Sequence, residues 1–322
     1  MTTLRIGTRG SALALAQTKK VAAALTAKTG VDVELVTIST EGDRSTESLS
    51  TLGGTGVFAS ALRDALLAGQ CDAIVHSLKD LPTGAQPGLS IAAIPKRVDP
   101  RDALCARDGL TLDTLPDGAR VGTGSPRRVA QLLSRRPDLE VVDLRGNVDT
   151  RLGKVASGEL DAVVLAAAGL DRLGRLDAVT EFLPIAGWPT APGQGALAIE
   201  VRTGDEKLVS ALDHKPTRTT VDAERAVLAA LEAGCAAPIG AHAMIDDGLI
   251  FLDARVYRTD GSEYVTSSHA LYVADVKDPA ADVAARVATE LLDLGAADLA
   301  PLSAARLNVA PGESADLAGS AD

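Results

Sequence analysis

Residues 5–17 read RIGTRGSALALAQ, and residues 120–131 read RVGTGSPRRVAQ. Each is a short apolar strand, a glycine-containing turn, a serine and then a helical pattern. A second pair repeats the relation: AGQCDAIV at 68–75 and SGELDAVV at 157–164. Around them strands and helices alternate. TLRIGT and VDVELVTIS read as strands, the run from Ser11 to Gly30 as a helix, FASALRDALLAG as a helix closed by Gly69, and CDAIVHS as a buried strand. Such alternation predicts βαβ units with a parallel or mixed sheet, so an α/β fold of two similar lobes is expected.

Pro95 and Pro100 in IPKRVDPRDA break the pattern and mark a crossing between lobes. The stretch GWPTAPGQGALAIEV looks like a second crossing, which makes lobe 2 an insertion in lobe 1. The expected division is 1–97 with 192–215 as lobe 1, 98–191 as lobe 2, and 216–306 as a small C-terminal α+β domain. In that last part Thr219 and Asp222 suit a helix N-terminus and Gly234 its end. Strands at LIFLDARVY and EYVTSSHALYV and a helix from Pro279 to Leu294 follow. Residues 307–322, small and polar, are expected to be a flexible tail.

Composition removes several functions. A net charge of −11 and 2% aromatics leave neither a basic footprint nor stacking platforms for nucleic acid. No apolar run is long enough to span a bilayer. The N-terminus enters a strand pattern with no apolar signal region, so a cytoplasmic protein is expected. Cys71, Cys105 and Cys235 are odd in number and far apart, which fits reduced thiols rather than a disulfide framework or a zinc site.

Within this acidic chain, residues 124–151 carry six arginines. Arg135 and Arg136 precede Pro137 at a helix end, where cations complement the dipole, and need no further role. The others fall at strand–turn–helix junctions. Helix N-termini favour anions. Ser11 and Ser125 sit at cap positions, Arg9 lies in the first turn, and Arg127 and Arg128 open the second helix, after Thr123. Arg145 and Arg151 flank the Gly146–Asn147 turn after one strand, and Arg172 follows AVVLAAAGL, read as a strand, at a similar edge. One such junction is an ordinary cap; two matched ones point to an anion site between the lobes. Guanidinium pairs with carboxylate through two parallel bonds, so the site suits a ligand with several carboxylates. Lys79 and Asp80 follow a buried strand, where they form either a surface ion pair or an anion contact beside a group facing positive charge. Cys235 lies in a small-residue loop past a helix end; on its own it is most simply an inert thiol.

RIGTRGSALALAQ, HSLKDLPT, GTGSPRR, LRGNVDTRL, APGQGALAIE and GCAAPIGA, in this order from about Leu4 to about Leu294, resemble the porphobilinogen deaminase (hydroxymethylbilane synthase) family. The resemblance implies two lobes like those of periplasmic binding proteins, with a third domain carrying a cysteine. It implies four porphobilinogen molecules joined head to tail with loss of ammonia, on a dipyrromethane cofactor held by a thioether. Residue by residue, that cysteine matches Cys235 and the catalytic aspartate matches Asp80, which stabilises the positive pyrrole nitrogen as an azafulvenium forms. The carboxylate binders match Arg9, Ser11, Lys79, Thr123, Ser125, Arg127, Arg128, Arg145, Arg151 and Arg172, and Gln194 matches the glutamine of the GQGA turn. Phe58 is placed to pack on a pyrrole ring, beside a lid-like stretch, STESLSTLGGTG, in which Thr55 replaces a common lysine. A monomer with porphobilinogen as its small-molecule partner, and no nucleic acid or membrane, is expected. The rivals are a two-lobed anion receptor without chemistry and an arginine-rich nucleic-acid binder.

Overall fold

The computed structural model describes residues 3–38, 56–233 and 237–302. The chain runs β1 (Leu4–Thr8), α1 (Ala12–Thr29), β2 (Val33–Thr37), α2 (Gly56–Leu67), β3 (Ala73–Ser77) and β4 (Leu89–Ala93). It crosses to β5 (Asp102–Ala106), β6 (Arg120–Gly122), α3 (Pro126–Arg135), β7 (Glu140–Val142), α4 (Val148–Ala156), β8 (Ala162–Ala166), α5 (Ala167–Arg172) and β9 (Glu181–Phe182). It returns through β10 (Leu197–Arg202) and ends with α6 (Lys215–Ala230), β11 (Ile239–Asp246), β12 (Leu249–Tyr257), β13 (Tyr264–Tyr272), α7 (Pro279–Asp293) and α8 (Ala296–Leu299).

Two five-stranded sheets result, ordered β2-β1-β3-β10-β4 and β7-β6-β8-β5-β9. They are the same topology written twice. In each, four strands run one way and the fifth, antiparallel, is the one that arrives from the other lobe: β10 between β3 and β4, and β5 between β8 and β9. The repeats in the sequence occupy equivalent places, since β1–α1 matches β6–α3 and β3 matches β8. A shared hydrogen bond shows why the repeat includes an aspartate. Asp72 accepts from the Arg5 backbone N–H at 2.9 Å, and Asp161 accepts from the Arg120 N–H at 2.7 Å, each pinning the start of a central strand.

Ser11 caps α1, accepting from the Ala14 N–H at 3.3 Å, and Gly30 ends it at φ 72°. The two crossings touch. Gly195, at φ +88°, lies so close to the first crossing that a Cβ there would come within 2.7 Å of the Val98 carbonyl oxygen, so only glycine fits. The third domain packs α6 and α7 on an antiparallel β11-β12-β13 sheet around Val227, Leu252 and Val287, each fully buried. Burying such a side chain contributes about 1.5–3 kcal/mol.

Two expectations are corrected. The α6 helix begins at Lys215, with His214 as its cap and Pro216 in the first turn; Thr219 and Asp222 lie inside it. The His214 ring Nδ1 accepts from the Thr217 N–H at 3.2 Å, a capping role that the usual Ser/Thr/Asp rule overlooks. The apolar run AVVLAAAGL is not one strand. It turns into α5 at Ala167, so Arg172 sits at the end of a short helix.

Candidate active site

The ends of β1 and β3 form one wall of the site, at the strand termini where open α/β sheets hold ligands. After β3 the chain makes a single tight turn, Leu78–Asp80. Arg9, Ser11, Gln17, His76, Ser77 and Asp80 line a cleft of about 510 Å³, a volume that includes some adjoining solvent. Arg225 of α6 donates to the carbonyls of Leu78 (3.3 Å), Leu81 (2.9 Å) and Pro82 (2.7 Å). The third domain thus holds the turn that presents Lys79 and Asp80. Beneath it, buried Glu200 accepts from Arg63 at 2.7 and 2.9 Å and lies 3.1 Å from the His76 ring. Burial pushes the Glu200 carboxyl up, but His76 and Arg63 outweigh this and hold it at about 2.

The crossing region brings lobe 1 and lobe 2 groups together. Lys79 donates to Gln194 Oε1 at 3.3 Å, and Arg128 Nη2 lies 3.4 Å from the same oxygen. Arg127 and Arg128 are only 4% and 6% exposed, and both are paired with fully buried Asp102. Arg127 also donates to Gln131 at 2.6 Å and to the Pro189 carbonyl at 3.1 Å. Arg128 donates to the Val164 carbonyl at 2.9 Å. Half-buried Lys79 is lowered to about 8: loss of hydration and the charges of Arg128 and Arg127 outweigh the support of Asp80 and Asp102.

Lobe 2 supplies a second group of cations and capping side chains. Ser125 caps α3, with the Arg128 N–H at 3.5 Å, and Thr123 Oγ1 accepts from the Ser125 N–H at 3.3 Å. Both hydroxyls thus shape the turn. Asn147 caps α4, and Arg151 on that helix donates back to the Gly146 carbonyl at 2.8 Å. Arg145 lies 3.6 Å from Asp143. Burial, then Arg128 and Arg145, bring Arg151 down to about 10 against the pull of Asp143. Arg151 therefore feels both of the other guanidiniums. Arg172 reaches the second crossing, donating to the Gly195 carbonyl at 2.8 Å, and burial lowers it.

A further buried pair fastens the third domain to both crossings. Arg97 donates to Glu224 at 2.6 and 3.0 Å and to the Gln194 carbonyl at 2.7 Å. Glu224 also accepts from the backbone N–H groups of Gly193 (2.7 Å) and Ala243 (2.8 Å). Burial raises Glu224, yet Arg97 and His242 bring it down to about 2. A carboxylate depressed from 4.5 stabilises the fold above its unfolded pKa, and that stability is lost as the pH falls from about 4.5 towards 2. Glu224→Gln leaves the Arg97 guanidinium, whose side chain is only 10% exposed, without its counter-ion. It is expected to cost about 3–5 kcal/mol in denaturant unfolding at neutral pH, and to flatten the acid transition in that window.

The structure thus brings Lys79, Arg127, Arg128 and Gln194 together at the crossings, with Arg172 on the Gly195 carbonyl; it places Arg9, Ser11 and Asp80 along one lobe 1 cleft, Arg151 within reach of Arg128 and Arg145, and Thr123 and Ser125 in the turn that opens α3. Cys235, Thr55, the lid-like stretch up to Thr55, the Phe58 side chain and the tail lie outside the described residues. Sequence reasoning missed Asp102, Arg97, Glu224 and Arg225. The only local sign was a charged residue opening the apolar strand DALCA or sitting within the AER triplet of α6.

The family model described as "Porphobilinogen deaminase, dipyromethane cofactor binding domain" matches residues 4–210, and "Porphobilinogen deaminase, C-terminal domain" matches 218–293. A protein named porphobilinogen deaminase from Leifsonia xyli subsp. xyli is 62% identical over 94% of this chain and 96% of its own length. One of the same name from Thermobifida fusca is 55% identical over 92% of this chain and 95% of its own. Among solved structures, a periplasmic substrate-binding protein of an ABC transporter from Coxiella burnetii aligns with a TM-score of 0.42 at 14% identity, covering 69% of this chain and 96% of that one. With matching family models along both parts and relatives above half identity over nearly its whole length, the chain belongs to the porphobilinogen deaminase family.

Proposed function

We propose that this chain is a hydroxymethylbilane synthase, a transferase of tetrapyrrole and haem biosynthesis that joins four porphobilinogen molecules into linear hydroxymethylbilane. The observation that carries this reading is a chain of neighbouring cations: Arg151 lies within electrostatic reach of Arg128 and Arg145, and Arg128 in turn of Lys79 beside Asp80. The donor set fits a polycarboxylate: Arg151 is brought down to about 10 by burial and then by Arg128 and Arg145, and an anion there offsets both effects. A dipyrromethane with acetate and propionate arms is such an anion. When bound, it supplies the free pyrrole carbon to which each new ring is joined.

Arg9, Ser11, Lys79, Thr123, Ser125, Arg127, Arg128, Arg145, Arg151, Arg172 and Gln194 form the carboxylate-binding and orienting set. Asp80 faces the pyrrole nitrogen of porphobilinogen and stabilises the positive charge that develops as ammonia leaves. Lys79, cationic below about pH 8, holds an acidic arm next to it. Cys235 tethers the cofactor by a thioether, which keeps each intermediate attached and makes each condensation intramolecular. Phe58 packs on a ring. The domain limits are 1–97 with 192–215, 98–191 and 216–306. The protein acts as a cytoplasmic monomer without nucleic-acid or membrane partners; no helix among the described residues is long and apolar enough to cross a membrane.

Mass spectrometry of the denatured protein, alongside an assay for ammonia and hydroxymethylbilane, tests the reading. The expected mass exceeds the translated chain by two linked pyrrole units. A bare chain that binds anions without releasing ammonia supports the receptor instead. Arg151→Leu removes one charge-assisted pair, worth about 1.5–3 kcal/mol, and is expected to weaken elongation roughly 10- to 100-fold. The accompanying sign is a build-up of partly elongated enzyme in the mass spectrum; unchanged turnover removes Arg151 from the binding set.

A further inference from the structure

Asp102 takes no part in the binding or chemistry just described, yet more of the site converges on it than on any ligand-facing group. It opens β5 at the end of the first crossing and is fully buried. Its Oδ1 accepts from Arg128 Nη2 (2.6 Å), Arg128 Nε (3.1 Å) and Gln194 Nε2 (2.8 Å). Its Oδ2 accepts from Arg127 Nη1 (2.8 Å) and Trp188 Nε1 (2.9 Å). Those donors come from α3, from the approach to the second crossing and from that crossing itself. We propose that Asp102 is a positioning residue: the fixed anion on which Arg127, Arg128 and Gln194 are aimed, and whose charge lets Lys79 stand cationic beside Asp80. This rests on the reading of the site as an oligopyrrole cleft.

Two physical steps support it. The first concerns orientation. A carboxylate only accepts, so Gln194 must turn its NH₂ group to Asp102 and the Pro100 carbonyl (2.7 Å), leaving Oε1 to face Lys79 and Arg128. An Asn at position 102 can meet either end of the Gln194 amide, so the Pro100 carbonyl is left as the one obligate acceptor holding its NH₂ group and the aim on Lys79 is held less firmly. The second concerns charge. Two adjacent guanidiniums with so little exposure are costly without a buried counter-ion. Burial raises the Asp102 carboxyl, but Arg127 and Arg128 outweigh this and hold it far below the usual carboxylate range, so it is always anionic. The charged groups facing Lys79 are Asp80 on its own turn, Arg127 and Arg128 on α3, and Asp102 on β5. Removing Asp102 leaves both arginines unopposed there and pushes the Lys79 ammonium towards losing its proton at lower pH.

Asp102→Asn is therefore compared with the native holoenzyme in intact mass, in kcat/KM for porphobilinogen against pH, and in Lys79 titration. The titration is read by NMR of isotope-labelled lysine on the cofactor-free chain, so that it does not depend on activity. The expected result is a folded chain whose Lys79 titration and alkaline activity limb both move to lower pH, with kcat/KM down roughly 10- to 100-fold. Adding Arg127→Gln, which removes one positive charge, is expected to move the Lys79 titration back. A folded Asp102→Asn chain with both unmoved overturns the proposal. Should Asp102→Asn fail to fold, Asp102→Glu decides: the charge stays while the carboxylate is displaced by one methylene. An unmoved Lys79 titration with kcat/KM down about tenfold is expected, and unchanged kcat/KM overturns the proposal. A native protein lacking attached dipyrromethane sinks the underlying reading, whereas one carrying it beside an unaltered Asp102→Asn sinks only the role of Asp102.

Discussion

Asp80→Ala is expected to keep its fold and its attached cofactor and to lose porphobilinogen turnover by roughly 10²–10³-fold, the scale on which a single preorganised electrostatic contact acts. The reasoning starts from the backbone. Asp80 closes the one-turn segment after β3, and Arg225 fixes three carbonyls around that segment, so the carboxylate is held by main chain rather than by its own contacts. It lines the cleft with Arg9 and Ser11 and stands next to Lys79. A rigidly presented anion in a partly desolvated cleft stabilises developing positive charge without reorganising. Asp80→Asn keeps the shape and removes the charge. If charge is what Asp80 contributes, Asn falls as far as Ala, and Asp80→Glu recovers part of the loss. The measurement is single-turnover release of ammonia, with intact mass confirming the cofactor. Normal turnover by Asp80→Ala would remove this residue from the chemistry.

How much of this was legible in the sequence depends on how local each cause is. The repeated strand–turn–serine–helix text at Arg5 and Arg120 marks equivalent places in two sheets of one topology, because strand, cap and first helical turn are all fixed within about a dozen residues. The crossings were readable from Pro95, Pro100 and the glycines around Gln194 for the same reason. Strand β11 was not, since IGAHAMID carries a glycine and a histidine; β12 supplies its partners and β13 completes the sheet. Nor was the role of Asp102. Its donors lie 25, 26, 86 and 92 residues away, and nothing near Asp102 in the chain announces them. The same holds for Arg225, whose partners sit on lobe 1, and for Glu224, which joins Arg97 and Gly193 of the crossings to Ala243 of its own domain. The sequence points to candidate cations; that Arg127 and Arg128 are held by one buried acid, Asp102, only the tertiary contacts show.

Cys235→Ser is expected to fold normally, to carry no added mass and to have no measurable turnover. The prediction follows from the other two cysteines as much as from Cys235. Cys71 is fully buried against β1 and β3, and burial raises its thiol; Cys105 lies within β5, 2% exposed, pushed up to about 11 by the same cause. Neither offers an accessible thiolate, the form that attacks an electrophilic carbon. The GCAAPIGA loop holds the remaining thiol. Its flanks are well anchored without it: Ala233 pairs with Leu302, and the Pro238 carbonyl accepts from the Tyr257 N–H at 3.1 Å. The third-domain core is built on Val227, Leu252 and Val287, and exchanging one sulfur for one oxygen at position 235 is nearly isosteric, so the fold is expected to survive. It does replace a good nucleophile by a poor one, and with no covalent anchor each ring addition becomes a bimolecular encounter. Effective molarities of about 10⁵–10⁸ M are then forfeited, more than the carboxylate contacts can restore. A Cys235→Ser chain that still carries two pyrrole units after denaturation would place the tether elsewhere. With Cys71 and Cys105 sealed in the core, that outcome would require an attachment to something other than a thiol.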